Sequence, residues 1–333
     1  MHNRRLATAD VSAIGLGCMS LSHAYGEPPE EAHSIRLLNQ ALDLGITHFD
    51  TAALYGFGHN ETLVGKALGH RRDEFFLASK CGIDKNAEGK REIDNRPERL
   101  RQTLDDSLAR LGVDHIDLYY LHRWDKKTPI EDSVGFLSDM VKAGKIGAIG
   151  LSEVSADTLR KAHAVHSIAA VQTEYSLWTR NAEIAVLDAC KQLGAAFVAF
   201  SPLARAFLTG RLTDPSALHE KDLRRNMPRF NGDNYPANLD LLGDYRRIAE
   251  AQGCTMGQLA LTWLLARGGH VLPIPGTTNP EHLVENAGAG DIVLDPETVQ
   301  KLDELINQTT VHGPRYGEKT QLEIDTEEFS EAA

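Results

Sequence analysis

The sequence predicts an α/β protein folded as a single (β/α)₈ TIM barrel, because strand-like and helix-like segments alternate along most of the chain. Eight short runs are apolar, β-branched or aromatic and have the length of buried strands. They cover residues 13–17, 46–52, 75–80, 116–122, 145–151, 169–175, 195–201 and 270–275. Eight strand–helix units in 333 residues fit a barrel better than a doubly wound sheet. A doubly wound dinucleotide fold would also need a third glycine after Gly15 and Gly17, and the chain has Ser20 there.

The segments between these runs have the periodicity of amphipathic helices. Residues 99–111 repeat apolar side chains at steps of three and four and stop at Gly112. Two later segments, 134–141 and 184–193, follow the same pattern, and each ends at a glycine. Glycine is common just beyond a helix end because it adopts left-handed backbone angles without strain. Strand, helix with a glycine stop and strand form the βαβ pattern of a parallel sheet.

Two segments interrupt this rhythm. Residues 211–244 are polar and turn-rich and predict a long loop, with a basic cluster at Arg224, Arg225 and Arg229. After about residue 311 the chain is charged and predicts an irregular tail, 311–333. No linker divides the sequence, so residues 1–333 are expected to form a single domain.

Composition excludes several classes of function. The formal net charge of −12 argues against a nucleic-acid-binding surface, which is normally basic. No run approaches the roughly 20 apolar residues of a membrane span, and residues 1–6 lack the apolar core of a signal peptide. Four scattered cysteines have no metal-ligand spacing and predict free thiols in a cytoplasmic protein without a metal. Composition says nothing about the oligomeric state.

Four polar residues lie where predicted strands end. Asp50 closes one strand and Tyr55 follows it in a glycine-spaced turn, while Lys80 and His122 close the next two strands. The carboxyl ends of parallel strands meet on one face of a barrel, so these side chains are expected to converge.

Such a group of side chains suits proton transfer to a carbonyl. A free tyrosine has a pKa near 10, and a neighbouring Lys80 is expected to lower the Tyr55 pKa. Asp50 can hold the lysine, and His122 can donate a hydrogen bond to a substrate oxygen or relay a proton. The set could protonate a carbonyl oxygen while its carbon receives a hydride, or catalyse the reverse. Any one of these residues alone would be read as a surface or packing residue.

The motifs around these residues resemble the active-site pattern of the aldo-keto reductases. They are Asp50-Thr51-Ala52-x-x-Tyr55-Gly56, Ser79-Lys80 and Leu121-His122. The similarity runs from Gly15 to about Asn286 and includes Gly147-x-Ile149-Gly150-Leu151-Ser152 and Val171-Gln172-x-Glu174-Tyr175-Ser176. The run Ser201-Pro202-Leu203-x-Arg205-x-Phe207-Leu208-Thr209-Gly210 resembles the branch that includes pyridoxal reductases and auxin-induced-type reductases.

This resemblance implies a barrel that binds NADPH and reduces aldehydes or ketones to alcohols. It implies Tyr55 as general acid/base, Lys80 and Asp50 as tuners of its pKa, and His122 as the polariser of the carbonyl. Ser152 and Gln172 would hold the nicotinamide carboxamide. The cofactor contacts that it implies are Gly17, Met19, Ser152, Gln172, Phe200, Ser201, Leu203, Arg205, Leu208, Gly210, Arg211, Gly276, Thr277, Thr278, His282, Glu285 and Asn286.

The phosphate-binding end departs from the family pattern. Many relatives carry Lys or Arg where this chain has Thr278 and Asn279, and that cation pairs with the 2′-phosphate of NADPH. The arginine cluster of the 211–244 loop is the alternative source of charge, or else a solvated loop face. The run 276–286 fits phosphate capture by helix amides, and equally a plain helix start capped by Asn279. Glu153 stands where many members have asparagine and could accept from the carboxamide amine.

Two other functions compete with carbonyl reduction. Channel-associated β subunits are similar in sequence, so a redox-sensing binding module is the main alternative, and a barrel without chemistry is a third. For the substrate pocket, Met19, Leu54, Trp124 and Trp178 predict a hydrophobic or aromatic carbonyl. Pyridoxal is a candidate only through the branch resemblance, and the physiological substrate is not predicted.

Overall fold

Eight parallel strands form the central sheet in this computed structural model, which describes residues 1–86 and 88–329. Each of the eight strand-like runs of the sequence contributes one strand to this sheet. Numbered in chain order, the strands are β1 Asn3–Leu6, β2 Ala9–Ser12, β3 Leu16–Gly17, β4 His48–Asp50, β5 Phe76–Cys81, β6 Ile83–Lys85, β7 Arg91–Ile93, β8 Ile116–Leu121, β9 Ile146–Ser152, β10 Ile168–Glu174, β11 Ala196–Phe200 and β12 Val271–Pro273.

The sheet closes on itself. Its strand order is β12-β11-β10-β9-β8-β5-β4-β3, and every neighbouring pair is parallel. At the open ends, the amide of Gly15 donates to Pro273 O at 3.0 Å, and that of Gly17 donates to Pro275 O at 3.2 Å. These bonds join the first and last strands, so the predicted (β/α)₈ barrel is confirmed.

Helices follow most barrel strands and cover the outside. They are α1 Glu31–Asp43, α2 His59–Leu68, α3 Pro97–Leu111, α4 Ile130–Lys142, α5 Ala156–Val165, α6 Val186–Leu193, α7 Asn234–Asp240, α8 Leu242–Ala251, α9 Met256–Ala266, α10 Pro280–Gly288, α11 Pro296–Leu305 and α12 Glu318–Gln321. The predicted glycine stop of α3 is present, because Gly112 has a φ of 67° and donates back to Ala109 O. Among the helices of the described residues, none has the length and apolarity that a membrane crossing needs.

Only one end of the barrel is open. Inside the barrel, side chains from alternate strand positions, such as Leu118 and Tyr120, pack into an apolar cluster. The hairpin formed by β1 and β2 adds Leu6 and Val11 to this cluster. Because the hairpin closes the amino-terminal end of the barrel, a ligand can reach the strands only at their carboxyl ends.

Two segments are more ordered than the sequence predicts. The predicted 211–244 loop contains 3₁₀ turns, the whole of α7 and the start of α8. Tyr235 of α7 is buried and stacks on Phe230 at 5.3 Å, and this tertiary contact stabilises a helix that is too short to be predicted from periodicity. The predicted irregular tail contains α12. Residues 330–333 of that tail lie outside the described residues.

Candidate active site

The four predicted polar side chains meet at the open end of the barrel. Asp50 is the last residue of β4, Lys80 lies in β5 and His122 directly follows β8. Lys80 Nζ forms an ion pair with Asp50 and donates to Thr51 O at 2.8 Å and to the Tyr55 hydroxyl at 3.3 Å. The rings of Tyr55 and His122 meet edge to face, with centroids 5.9 Å apart. Lys80 and Asp50 are each only 1% exposed, so their pairing is shielded from water.

Tyr55 is held by a tight turn. Gly56, Phe57 and Gly58 all have positive φ, which brings the chain from β4 into α2 within a few residues. Behind the turn, Thr51 donates to Asn60 Oδ1 at 2.7 Å, and Asn60 Nδ2 donates to Cys18 O at 2.9 Å. This buried hydrogen bonding fixes the turn and therefore the position of the phenol.

The pKa of Tyr55 differs from the sequence prediction. Burial raises this pKa above its ordinary value, and the positive charge of Lys80 only opposes the rise. The predicted lowering is therefore wrong as a net effect, because desolvation of the phenolate outweighs one nearby cation. Burial alone would lower the pKa of Lys80, but the Asp50 carboxylate holds it above its ordinary value. At neutral pH the site therefore contains a protonated phenol beside a charged ammonium.

His122 is neutral. Burial, followed by the positive charges of Arg123 and Lys80, keeps its pKa well below the ordinary value. Its Nδ1 atom is buried without a hydrogen-bond partner among the described residues, while the side chain lines the cavity. The tautomer with its proton on Nε2 avoids an unpartnered buried N–H, so Nε2 is the nitrogen able to donate to a bound oxygen.

The wall beside these residues has the polarity that a carboxamide requires. Ser152 Oγ accepts from Arg123 Nη1 at 3.0 Å, which leaves the serine hydroxyl hydrogen free to donate. Gln172 Nε2 donates to Asp50 Oδ2 at 2.8 Å, which leaves the glutamine Oε1 free to accept. One free donor and one free acceptor match the C=O and NH₂ of a carboxamide.

A cavity of about 670 Å³ extends from this group of side chains. Most of the predicted cofactor residues line it. They are Gly17, Met19, Ser152, Gln172, Phe200, Ser201, Leu203, Arg205, Arg211, Gly276, Thr277, Thr278, His282, Glu285 and Asn286. Two predicted contacts do not line it: Leu208 is fully buried in the core, and Gly210 ends a 3₁₀ turn and faces Met256. Both belong to the same motif as Ser201, Leu203 and Arg205, which do reach the cavity.

The loop after β11 is strained where it lines the cavity. Ser201, Ala204, Arg205 and Ala206 all have positive φ, between 49° and 79°. Non-glycine residues rarely adopt this conformation, which costs about 1–3 kcal/mol each and clusters at ligand-binding sites. Together with the carboxamide-matching wall and the volume of the cavity, this loop makes the site fit a nicotinamide dinucleotide.

Helix α10, which follows the last barrel strand, begins beside the cavity. Asn279 caps the helix by accepting a hydrogen bond from Glu281 N at 2.7 Å, and Pro280 lies in the first turn. The ordinary capped helix start that the sequence allows is therefore present. Thr277 and Thr278 line the cavity just before the cap, which leaves phosphate capture compatible with it.

The predicted arginine cluster does not act as one unit. Arg224 lines the cavity but is paired with Asp222 at 2.6 Å, and Arg225 donates to Leu218 O on the exposed loop. Arg229 is directed to Trp178 O and Gly313 O and does not line the cavity. Arg211, which is not part of this cluster, lies beside α10 and forms an ion pair with Glu285 at 2.6 Å.

Several lining residues were not predicted. His23, Tyr25, Arg123 and Tyr316 all face the cavity. The position of Arg123 directly after His122 is a sequence signal that could have indicated its place in the site. Tyr316 has no such signal, because it lies in the tail and does not follow a barrel strand. Of the predicted pocket residues, Met19 and Leu54 line the cavity.

The two tryptophans predicted for the pocket are not among its lining residues. Trp178 stacks on Phe207 at 4.2 Å, and Trp124 Nε1 donates to Thr128 O at 2.8 Å. Both serve packing rather than the pocket.

Of the roles open to Glu153, the structure does not support contact with the carboxamide, because Glu153 does not line the cavity and instead anchors the tail. Its carboxylate takes both Nη atoms of Arg315, accepts from Thr326 Oγ1 at 2.6 Å and is only 1% exposed. Its own backbone has a φ of 55° and its carbonyl accepts from Asp325 N at 2.9 Å. Burial alone would raise the pKa of Glu153, but Arg315 holds it below its ordinary value. Glu174 N also donates to Glu153 Oε1 at 2.9 Å, so these contacts together use the whole carboxylate and Glu153 has no acceptor left for a carboxamide.

Arg315→Met is expected to destabilise the protein by about 3–5 kcal/mol, because it leaves the Glu153 carboxylate buried without its counter-ion. Urea unfolding measures the change. Glu153→Gln in the same chain should recover much of the loss. Arg91→Met is the matched control, since it breaks the more exposed Arg91–Glu323 pair of the same tail and should cost about 0–1 kcal/mol. Equal losses for the two arginines would contradict the role of the buried pair.

Comparisons with known proteins agree with this geometry. The model of the Aldo/keto reductase family matches residues 13–307. The chain is 44% identical over 331 residues to the aldo-keto reductase yakc of Schizosaccharomyces pombe, whose name specifies NADP(+), and the match covers 97% of each chain. A glycerol dehydrogenase from Gluconobacter oxydans has a TM-score of 0.84 at 30% identity, over 91% of this chain and 94% of that chain. An aldo-keto reductase from Klebsiella pneumoniae, solved in complex with NADPH, has a TM-score of 0.72 at 28% identity, over 95% of this chain and 98% of that one.

Proposed function

The chain belongs to the Aldo/keto reductase family, and from this premise we propose that it reduces aldehydes or ketones to alcohols with NADPH, with Tyr55 as proton donor. One observation carries the proposal: the Tyr55 hydroxyl, 3.3 Å from Lys80 Nζ, faces a cavity that His122 also lines. These are the groups that protonation of a carbonyl oxygen needs.

In this reaction the Tyr55 hydroxyl gives its proton to the carbonyl oxygen. Bound NADPH supplies the hydride for the carbonyl carbon. Lys80 stabilises the phenolate that remains, and the Asp50 carboxylate keeps the lysine charged. His122 Nε2 donates to the same oxygen and polarises the carbonyl before the proton moves.

The cofactor is held by residues on both sides of the barrel. Ser152 and Gln172 orient the carboxamide through the free donor and acceptor described above, and Phe200 offers an aromatic face to the ring. The lining residues near α10, such as Thr277 and Asn286, would hold the rest of the dinucleotide. Dependence on NADP(H) is supported by the NADP(+) of the yakc relative's name and by the NADPH complex of the K. pneumoniae enzyme.

Arg211 is the residue that we propose for the 2′-phosphate, in place of the cation missing at Thr278 and Asn279. Arg211→Ala is expected to raise the KM for NADPH about 10- to 100-fold and to change the KM for NADH little, because only NADPH has the 2′-phosphate. Steady-state kinetics with both cofactors measure this. Arg225→Ala, on the exposed loop, is the control and should leave both constants unchanged. A parallel loss for both cofactors in Arg211→Ala would contradict this assignment.

Turnover of a reactive aldehyde tests the proposed activity. Wild-type protein should oxidise NADPH in the presence of 4-nitrobenzaldehyde and release the alcohol. No turnover across a panel of aldehydes and ketones, with NADPH bound, would contradict the proposal. It would favour the redox-sensing module similar to channel-associated β subunits.

Two finer assignments belong to the same proposal. The motif from Ser201 to Gly210 supports the branch of pyridoxal and auxin-induced-type reductases, so pyridoxal belongs in the panel. A cytoplasmic location is supported by the four cysteines, which are free thiols.

A further inference from the structure

The charged side chains that line the cavity are paired, with one exception. Arg205, Arg211 and Arg224 pair with Glu174, Glu285 and Asp222 at distances of 2.9, 2.6 and 2.6 Å. The lining carboxylates Asp50, Glu285 and Glu27 pair with Lys80, Arg211 and Lys221. Arg123 is left over, because it has no ion-pair partner within residues 1–86 and 88–329. The cavity wall therefore carries one arginine that forms no ion pair with these residues.

The hydrogen bonds of Arg123 leave one edge of its guanidinium free. Nη1 donates to His122 O at 2.6 Å and to Ser152 Oγ at 3.0 Å. Nε and Nη2 donate to no atom of the part of the chain that the structure describes, and neither is a fully buried atom. These two N–H groups are parallel and form the fork that binds both oxygens of a carboxylate.

The position of Arg123 separates it from the cofactor phosphates of the proposed function. Arg123 follows β8, next to His122, and contacts the end of β9. In the order of the sheet, β8 lies four strands from β12, which leads to α10 and the proposed phosphate site. On a closed eight-stranded barrel these two strands are on opposite sides. An anion at Arg123 would therefore belong to the substrate.

We propose that Arg123 is a specificity-determining residue that binds a carboxylate of the substrate, so that the preferred substrates are aldehyde or keto acids. This inference rests on the proposed carbonyl reduction, since it names the substrate class of the same site. The neighbouring wall of Met19 and Leu54 would contact the carbon skeleton between the carboxylate and the carbonyl. Histidine does not supply the charge here, because burial lowers the pKa of both His122 and His23.

The test compares acids with their neutral esters. The pairs are glyoxylate with methyl glyoxylate, and 4-carboxybenzaldehyde with methyl 4-formylbenzoate, each reduced with NADPH. Wild-type protein should have the higher kcat/KM for the acid in at least one pair. In Arg123→Met the acid-to-ester ratio for that pair should fall about 10- to 100-fold, the size expected for a charge-assisted hydrogen bond. Arg123→Lys should keep part of the ratio, because an ammonium retains the charge but not the fork.

The control is Arg225→Met, which removes the same charge from the exposed loop and should leave the ratio unchanged. The wild-type ratio needs no variant, so the test survives if Arg123→Met does not fold. Esters preferred over acids by wild-type protein, or an equal loss of both in Arg123→Met, would overturn the inference and leave Arg123 as a support for Ser152. No turnover of any aldehyde would instead overturn the proposed function, so the two failures are distinguishable.

Discussion

Tyr55→Phe is expected to lower kcat for carbonyl reduction by about 100- to 10,000-fold, with little change in NADPH affinity or in unfolding free energy. The variant removes only the hydroxyl that accepts from Lys80 at 3.3 Å. Lys80 keeps its bonds to Asp50 and to Thr51 O, so no buried charge loses its partner. The phenylalanine ring retains the edge-to-face contact with His122. Steady-state oxidation of NADPH with 4-nitrobenzaldehyde measures kcat, and cofactor fluorescence measures affinity.

His23→Phe is the matched control for this experiment, because His23 stacks on Tyr55 at 6.2 Å and lines the same cavity without touching the Lys80 ammonium. Its loss of activity should be far smaller. A Tyr55→Phe protein as active as the parent would remove the proposed proton donor. It would leave His122 as the acid.

Lys80→Met is expected to act on both stability and chemistry. It leaves the Asp50 carboxylate buried without its counter-ion, at a cost of about 3–5 kcal/mol in unfolding free energy. It also removes the cation that stabilises the phenolate, which should slow reduction about 10- to 1,000-fold. Urea unfolding and steady-state kinetics measure the two effects separately.

The pH profile gives the sign of the chemical effect. Reduction needs the protonated phenol, and burial holds the Tyr55 pKa above its ordinary value, so wild-type kcat should be flat through neutral pH and fall only in strong alkali. In Lys80→Met the pKa rises further, because the lowering effect of Lys80 is lost while the raising effect of Asp50 remains. The alkaline fall should therefore move to higher pH.

The double variant Asp50→Asn with Lys80→Met separates the two effects. Removing the orphaned carboxylate should restore most of the lost stability without restoring kcat. If Lys80→Met left both the profile and the rate unchanged, Lys80 would be a structural residue only.

The sequence was sufficient for the barrel and for the central residues because both depend on short-range patterns. Buried strands are β-branched and apolar, helices have a visible period, and parallel strands bring their last residues together. The sequence alone therefore predicts that Lys80 and His122 lie beside Asp50.

The parts that could not be predicted depend on long-range contacts or on burial. The Glu153–Arg315 pair joins residues 162 positions apart, and nothing in the local sequence of either residue indicates the other. The direction of the Tyr55 pKa shift depends on how completely the folded protein excludes water from the phenol. The types of the neighbouring residues in the sequence do not show this. The sequence around Arg123 does not distinguish it from an ordinary surface arginine. Its difference depends on the ion pairs that the other charged residues of the cavity form in the folded structure.

The docking of residues 315–326 on Glu153 also bears on how the chain folds during synthesis. All eight barrel strands precede Gly276, so the sheet can assemble while the tail is still inside the ribosome. Until Arg315 emerges, however, the Glu153 carboxylate lacks the ion-pair partner that it has in the finished barrel. The tail can dock on Glu153 only after Arg315 has emerged, so a ribosome stalled between these two points would present a barrel with all its strands but without this ion pair.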